Sequence, residues 1–168
     1  MNDRAELLEK LSAGRDLFLA SLDGVTEEQA IAKPVTGWSI LECAEHVAIV
    51  EEYLRRTLME RATPTDDEMP RDRERFFSAV AANRGRRIQA PEVALPHGRF
   101  NTLAEAVECF RLNREQTIAY IASCHQDLRR LTMDHPLAGA ISGQETLILI
   151  IAHPFRHAEQ VRELRLCV

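Results

Sequence analysis

Hydrophobic residues recur at three- and four-residue intervals through most of this chain, the period of helices that bury one face. Leu7, Leu8, Leu11, Phe18 and Leu22 form one such stripe and predict a first helix over about 3–22. Cys43, Val47, Val50, Leu54 and Leu58 predict a second, from Ser39 to about 60. Leu103, Val107, Phe110, Thr117, Ile121 and Leu128 predict a third, from Thr102 to about 130. The last long helix takes 143 to about 166, where the run "LILIIA" puts apolar side chains on nearly every side. Such a run suits deep burial or the seam of a homodimer.

The helix starts are marked independently. Thr26/Gln29, Ser39/Glu42, Thr102/Glu105 and Ser142/Glu145 are capping boxes, in which a hydroxyl and a longer polar side chain each satisfy the other's backbone N–H. The turn that Thr26 opens stops before Pro34, and "ATPTDDEMP" is a break. A shorter helix over about 71–88 carries Phe76, Phe77 and Val80. Residues 89–101, with Pro91, Pro96 and Gly98, and the segment "TMDHPLAGAIS" read as loops. Strand alternation and internal repeats are not found. The expected fold is all-α: a four-helix bundle with an extra short helix and a long insertion between the second and third long helices.

Composition narrows the classes. A chain of 168 residues suits a single domain, 1–168, with a real core. A net charge of −5 speaks against nucleic acid as partner. The arginine clusters Arg71, Arg73, Arg75 and Arg84, Arg86, Arg87 read as solvated faces because acidic residues flank them. The four cysteines show no metal or disulfide spacing, so reduced thiols are expected. Leu147 to Ala152, the longest apolar run, is too short to span a bilayer, and the N-terminus is charged from its third residue. No membrane partner and a cytoplasmic location are expected.

The chemistry lies in "IAHPFRHAEQV", residues 151–161. At 100° per residue His153 and His157 share a face with Thr146, Leu149, Ile150, Val161 and Leu164, while Arg162 and Glu163 fall away from it. Both histidines look into the bundle. His46 lies at the edge of the second helix's apolar stripe and can also face inward. Spacing alone leaves two readings open: hydrogen-bonded core or boundary histidines, or part of a metal site. Pro154 removes one helical hydrogen bond, to the carbonyl of Ile150, and bends the helix. His97, His125 and His135 fall in loops or at a helix end and read as solvent-facing. Trp38 reads as an apolar plug at the bundle's end.

Several segments together resemble the DinB-like family, helical bundles that include YfiT-type metal-dependent hydrolases. In "TGWSILECAEHVAIVEEYL" the family's "GWS" box precedes a helix bearing a histidine, here Trp38, Ser39 and His46. In "HPLAGAISGQETLILIIAHPFRHAEQV" its "HP…G" loop leads to H-x-x-x-H and a glutamine, here Gly139, His153, His157 and Gln160. "APEVALPHGRFNTLAEAVECFRLNR" is similar to the family's linker into its third helix. The resemblance covers most of residues 26–166. It implies that His46, His153 and His157 ligate a divalent transition metal, Zn, Ni or Fe. Pro154 departs from it, since that position is more often polar.

Three neutral ligands leave an ion its full charge and open positions, so it can acidify a water or a thiol. The family includes both hydrolases and thiol-dependent transferases or isomerases, with a small molecule or a low-molecular-weight thiol as partner. A hydrolase wants a general base, and Glu42, one turn before His46, is the nearest candidate. Its place in the Ser39 capping box competes with that role, and Glu45 points about 100° away. Gln160 lies on the side of His153 and either orients a ligand or sits as a solvated boundary residue. A fourth ligand from His97 or His135 would make the site structural. A metal staple, a sensor or storage module, and a metal-free homodimeric bundle remain as non-catalytic readings.

Overall fold

A computed structural model of the chain describes residues 3–67, 69–82, 85 and 89–167. Six α-helices are found among them: α1 (Asp3–Leu22), α2 (Glu27–Ile31), α3 (Ile40–Arg56), α4 (Arg71–Ala82), α5 (Leu103–Ser123) and α6 (Gly143–Arg165). All four capping boxes form, with Thr26, Ser39, Thr102 and Ser142 as N-caps. A π-helical turn, Thr57–Arg61, carries α3 to the expected end. Among the described residues no helix is long and apolar enough to cross a membrane.

Helices α1, α3, α5 and α6 make a four-helix bundle in which α1 and α3 each pack against both α5 and α6. The buried face of one half is built on Phe18, Ile40, Val47, Phe110 and Val161. The other half is built on Leu11, Leu54, Ile121, Leu147 and Ile150. Within "LILIIA", Leu147, Ile150, Ile151 and Ala152 are buried, and Ile148 and Leu149 are part-buried against the second half.

A polar belt joins the two halves. Arg114 of α5 is fully buried and donates through Nε and Nη2 to the two carboxylate oxygens of Glu51 on α3, both at 2.7 Å. Its Nη1 donates to the Leu11 carbonyl of α1 at 2.8 Å, and Nη2 also to the Ile150 carbonyl of α6 at 2.9 Å. Pro154 lies inside α6 and has no N–H for the Ile150 carbonyl. Arg114 supplies the donor that the proline lacks.

Two expectations are corrected. Helix α5 ends at Ser123, not near 130. The Ser123 hydroxyl turns back to the Ala119 and Tyr120 carbonyls, Cys124 leaves in an extended conformation, and Leu128 lies in a 3₁₀ turn (Leu128–Arg130) that Asp127 caps. The segment read as a loop is partly a sheet. Strand β2 (Leu131–His135) pairs antiparallel with both β1 (Thr63–Pro64) and β3 (Gly139–Ser142), in the order β1-β2-β3. Met133 and Ile141 face each other in the register, and both are buried. Strand β3 passes directly into α6 at Gly143. A Cβ there would lie 2.9 Å from the Leu128 carbonyl oxygen, so glycine permits the close approach.

Helix α4 packs on α6. Arg73, expected on a solvated face, instead pairs with the fully buried Glu145 at 3.0 Å and donates to the Ala140 carbonyl at 3.1 Å. Arg71 is exposed as expected. Arg84, Arg86 and Arg87, and the expected extension of this helix to 88, lie outside the described residues apart from Gly85.

Candidate metal centre

His46 sits on the second turn of α3, fixed by the Ser39 cap, and is buried. Its Nδ1 lies 2.6 Å from the Ala94 carbonyl, at the end of a 3₁₀ turn (Glu92–Ala94) in the 89–101 connection. A carbonyl only accepts, so Nδ1 carries the proton and Nε2 keeps its lone pair. The connection is held from the next position as well. The buried carboxylate of Glu45 accepts from the His97 N–H at 2.7 Å and the Arg99 N–H at 3.0 Å.

His153 and His157 come from successive turns of α6, on either side of Pro154. His157 is buried and His153 half-buried. His157 Nδ1 lies 2.9 Å from Gln160 Oε1 and 3.6 Å from the Cys43 sulfur. His153 Nε2 lies 3.0 Å from His46 Nε2. One nitrogen of each ring falls in a single group with all members within 4.8 Å of one another. Among the described residues no carboxylate or thiol joins it.

The donor set fits a divalent transition ion. The closest pair, the His46 and His153 nitrogens 3.0 Å apart, would subtend about 90° at an ion roughly 2.1 Å from each, and joining the third nitrogen draws in a group that spans up to 4.8 Å. Two of the rings also donate their other N–H to an oxygen, the arrangement that orients metal-binding histidines. Burial pushes His46 below its ordinary pKa; the Ala94 carbonyl opposes this, and the Arg156 charge adds to it. Burial pushes His153 well below, helped by the neighbouring imidazoles and by Arg156 and Arg114. Both rings are neutral near pH 7, the state that ligates.

The site opens into a cavity of about 1110 Å³ whose lining includes Trp38, Tyr53, Phe77, His135, Arg156 and Gln160. Trp38, expected as a plug at the bundle's end, is half-buried with its ring 4.7 Å from that of His46. Glu42 stays in the cap. Its Oε2 accepts from the Ser39 N–H at 2.8 Å and its Oε1 pairs with Lys33 at 2.5 Å. Burial raises its pKa, but the Lys33 and Ser39 bonds outweigh that and leave it lowered, so it is a weak base. His97 is exposed in the connection, and His125 follows α5. His135 ends β2 and lines the cavity, outside the three-histidine group. All four cysteines are free thiols. Arg114, Glu51 and the Ala94 carbonyl were not foreseen as supports of the site. The proline, which leaves a helical carbonyl in want of a donor, was the sequence signal for the first of these.

A helical bundle whose second and last long helices bring three histidines to the edge of a cavity is the class that fold and site define. The chain belongs to the DinB superfamily, whose sequence model matches residues 10–161. It is 26% identical over 145 residues to YuaE of Bacillus subtilis (strain 168), an uncharacterized protein, with 86% of this chain and 88% of that one aligned. TT2238, described as a four-helix bundle protein, has a crystal structure that matches with a TM-score of 0.60 at 21% identity, over 95% of this chain and 98% of that one. That likeness shows the fold. The three-histidine cluster and the family are together compatible with metal binding.

Proposed function

We propose that the protein binds one divalent transition metal ion through His46, His153 and His157 and is an enzyme that activates a low-molecular-weight thiol for transfer to an electrophile. One observation carries this reading: three imidazoles converge beside a large cavity, and no carboxylate stands in their group among the described residues. An ion there would lower the pKa of a thiol that reaches it, so the thiolate forms without a protein base. The thiolate sulfur then bonds to the electrophilic atom, whose leaving group departs with the electron pair, and the thiol proton passes to solvent.

The chain's own part is to hold and shield. The Ala94 carbonyl and Gln160 orient His46 and His157, and Trp38 and Phe77 keep the neighbouring space apolar. Water activation for hydrolysis is the second reading. It is disfavoured because Glu42, the expected base, is committed to Ser39 and Lys33.

Elemental analysis of protein expressed with added metals is expected to find about one equivalent of a first-row transition metal. His46→Ala or His153→Ala should abolish it, and a metal-free product would overturn the proposal. On the cobalt-substituted protein, small thiols should change the visible spectrum. An unchanged spectrum in the presence of bound thiol would reject thiol activation and leave the hydrolase.

A further inference from the structure

Helix α4 belongs to the charged insertion between the second and third bundle helices, a segment for which the metal chemistry alone has no use. It is fastened as a wall. Arg73 pairs with buried Glu145 and bonds the Ala140 carbonyl, and on its next residue Glu74 accepts from Arg129 Nε at 2.7 Å. What this anchorage presents to the cavity is apolar: Phe76, Phe77 and Val80 all line it.

The opposing lining continues the same character. On α3, Val50, Tyr53 and Leu54 line the cavity beyond His46, and on α6 Leu149 lies one turn before His153. At 1.5 Å per residue, Val50 stands about 6 Å and Leu54 about 12 Å along α3 from His46. Phe76, Val93 and Leu137 are 60%, 51% and 58% exposed and line the cavity too, so bulky apolar groups stand open to water at this site. Exposed apolar groups gathered around a cavity mark where an apolar ligand enters. In the other direction the lining is mixed, with Gln160 and Glu163 beside Leu164 and Cys167 along α6.

We infer that the substrate reacting at the three-histidine site carries an apolar body, a chain or ring of about four to eight carbons, which lies along α3 against the inner face of α4. This rests on the metal reading above. The insertion is then the specificity element of the enzyme, since it contributes wall and rim but none of the three histidines.

The test uses the metal-loaded full chain and a series of straight-chain hydroxamates from acetohydroxamate to octanohydroxamate, titrated calorimetrically. The chelating head is constant and only the tail grows. Affinity is expected to rise about fourfold per methylene over the first four to six carbons, as for progressive burial of CH₂ groups. Phe76→Ser and Val80→Asn should flatten that rise and leave the affinity for acetohydroxamate unchanged. Val35→Ser, at an exposed apolar position that does not line the cavity, should change neither. Phe76 is exposed, so its replacement does not threaten folding. Acetohydroxamate binding with no dependence on tail length, or a dependence that both α4 variants retain, would overturn the inference and leave the metal site standing. Failure of acetohydroxamate itself to bind would remove the metal reading and the inference together.

Discussion

Replacing Arg114 tests whether the buried belt substitutes for the hydrogen bond that Pro154 removes. Arg114→Met strands Glu51, which is only 2% exposed, and deprives the Ile150 carbonyl of its donor. Breaking a buried ion pair from one side costs about 3–5 kcal/mol, and an unsatisfied buried carbonyl about 1–3 more. The sum, about 4–8 kcal/mol, is a large fraction of a domain's stability, so the single variant should unfold at a much lower urea concentration. Glu51→Leu combined with Arg114→Met removes both charges and should recover most of the ion-pair loss, leaving the carbonyl as the residual defect. Pro154→Ala then supplies an N–H one turn along from Ile150. Its benefit should be about 1–2 kcal/mol greater in this doubly substituted background than in the parent, where Arg114 already serves that carbonyl. Urea unfolding of the metal-stripped proteins, read as a thermodynamic cycle, measures the difference. Additivity within about 0.5 kcal/mol would refute the idea that Arg114 and Pro154 act as a unit.

Gln160→Leu removes the acceptor that orients His157 and should weaken metal binding by roughly 10–100-fold without shifting the unfolding midpoint of the metal-free chain. An unchanged affinity in a competition titration would make Gln160 a bystander. The folded pKa values of His46, His153 and His135 lie below the ordinary value near 6.5, with burial the leading cause in each. The unfolded chain therefore binds more protons than the folded one just below that value. Stability of the metal-free protein should be full above about pH 7 and fall as pH drops through about 6.5 toward the lowered values. An unfolding free energy that is flat from about pH 7 to about pH 5 would contradict the burial seen at these rings.

The helices were legible because each begins with a local signal. Thr26, Ser39, Thr102 and Ser142 each meet their partner three residues on, and both sides of that exchange are written within one turn. The inward direction of His153 and His157 followed from the same periodicity, and the "GWS" box, His46 and the H-x-x-x-H pair in their order carried the resemblance to the family that the chain proved to match. What stayed hidden depends on distant partners. Strand β1 is two residues long and exists only by pairing with Thr132 and Leu131, so no alternation betrays it. In the same way, Arg114 falls on the apolar stripe of α5, between Phe110 and Thr117, but the partners on α1, α3 and α6 that satisfy a charge there are distant in the chain. Trp38 was assigned by size alone, whereas the ring of His46 and the cavity decide its surroundings.

The two segments that supply the histidines are 107 residues apart along the chain. An ion shared between them would act as a clasp across most of the polypeptide, shortening the reach of the unfolded coil and rewarding only the fully docked arrangement of α3 on α6. Fraying of α4 or of the small sheet would leave the clasp shut. Backbone cleavage in the 89–101 connection would yield fragments that the packed core still joins, and chelation would lower the urea concentration at which they part.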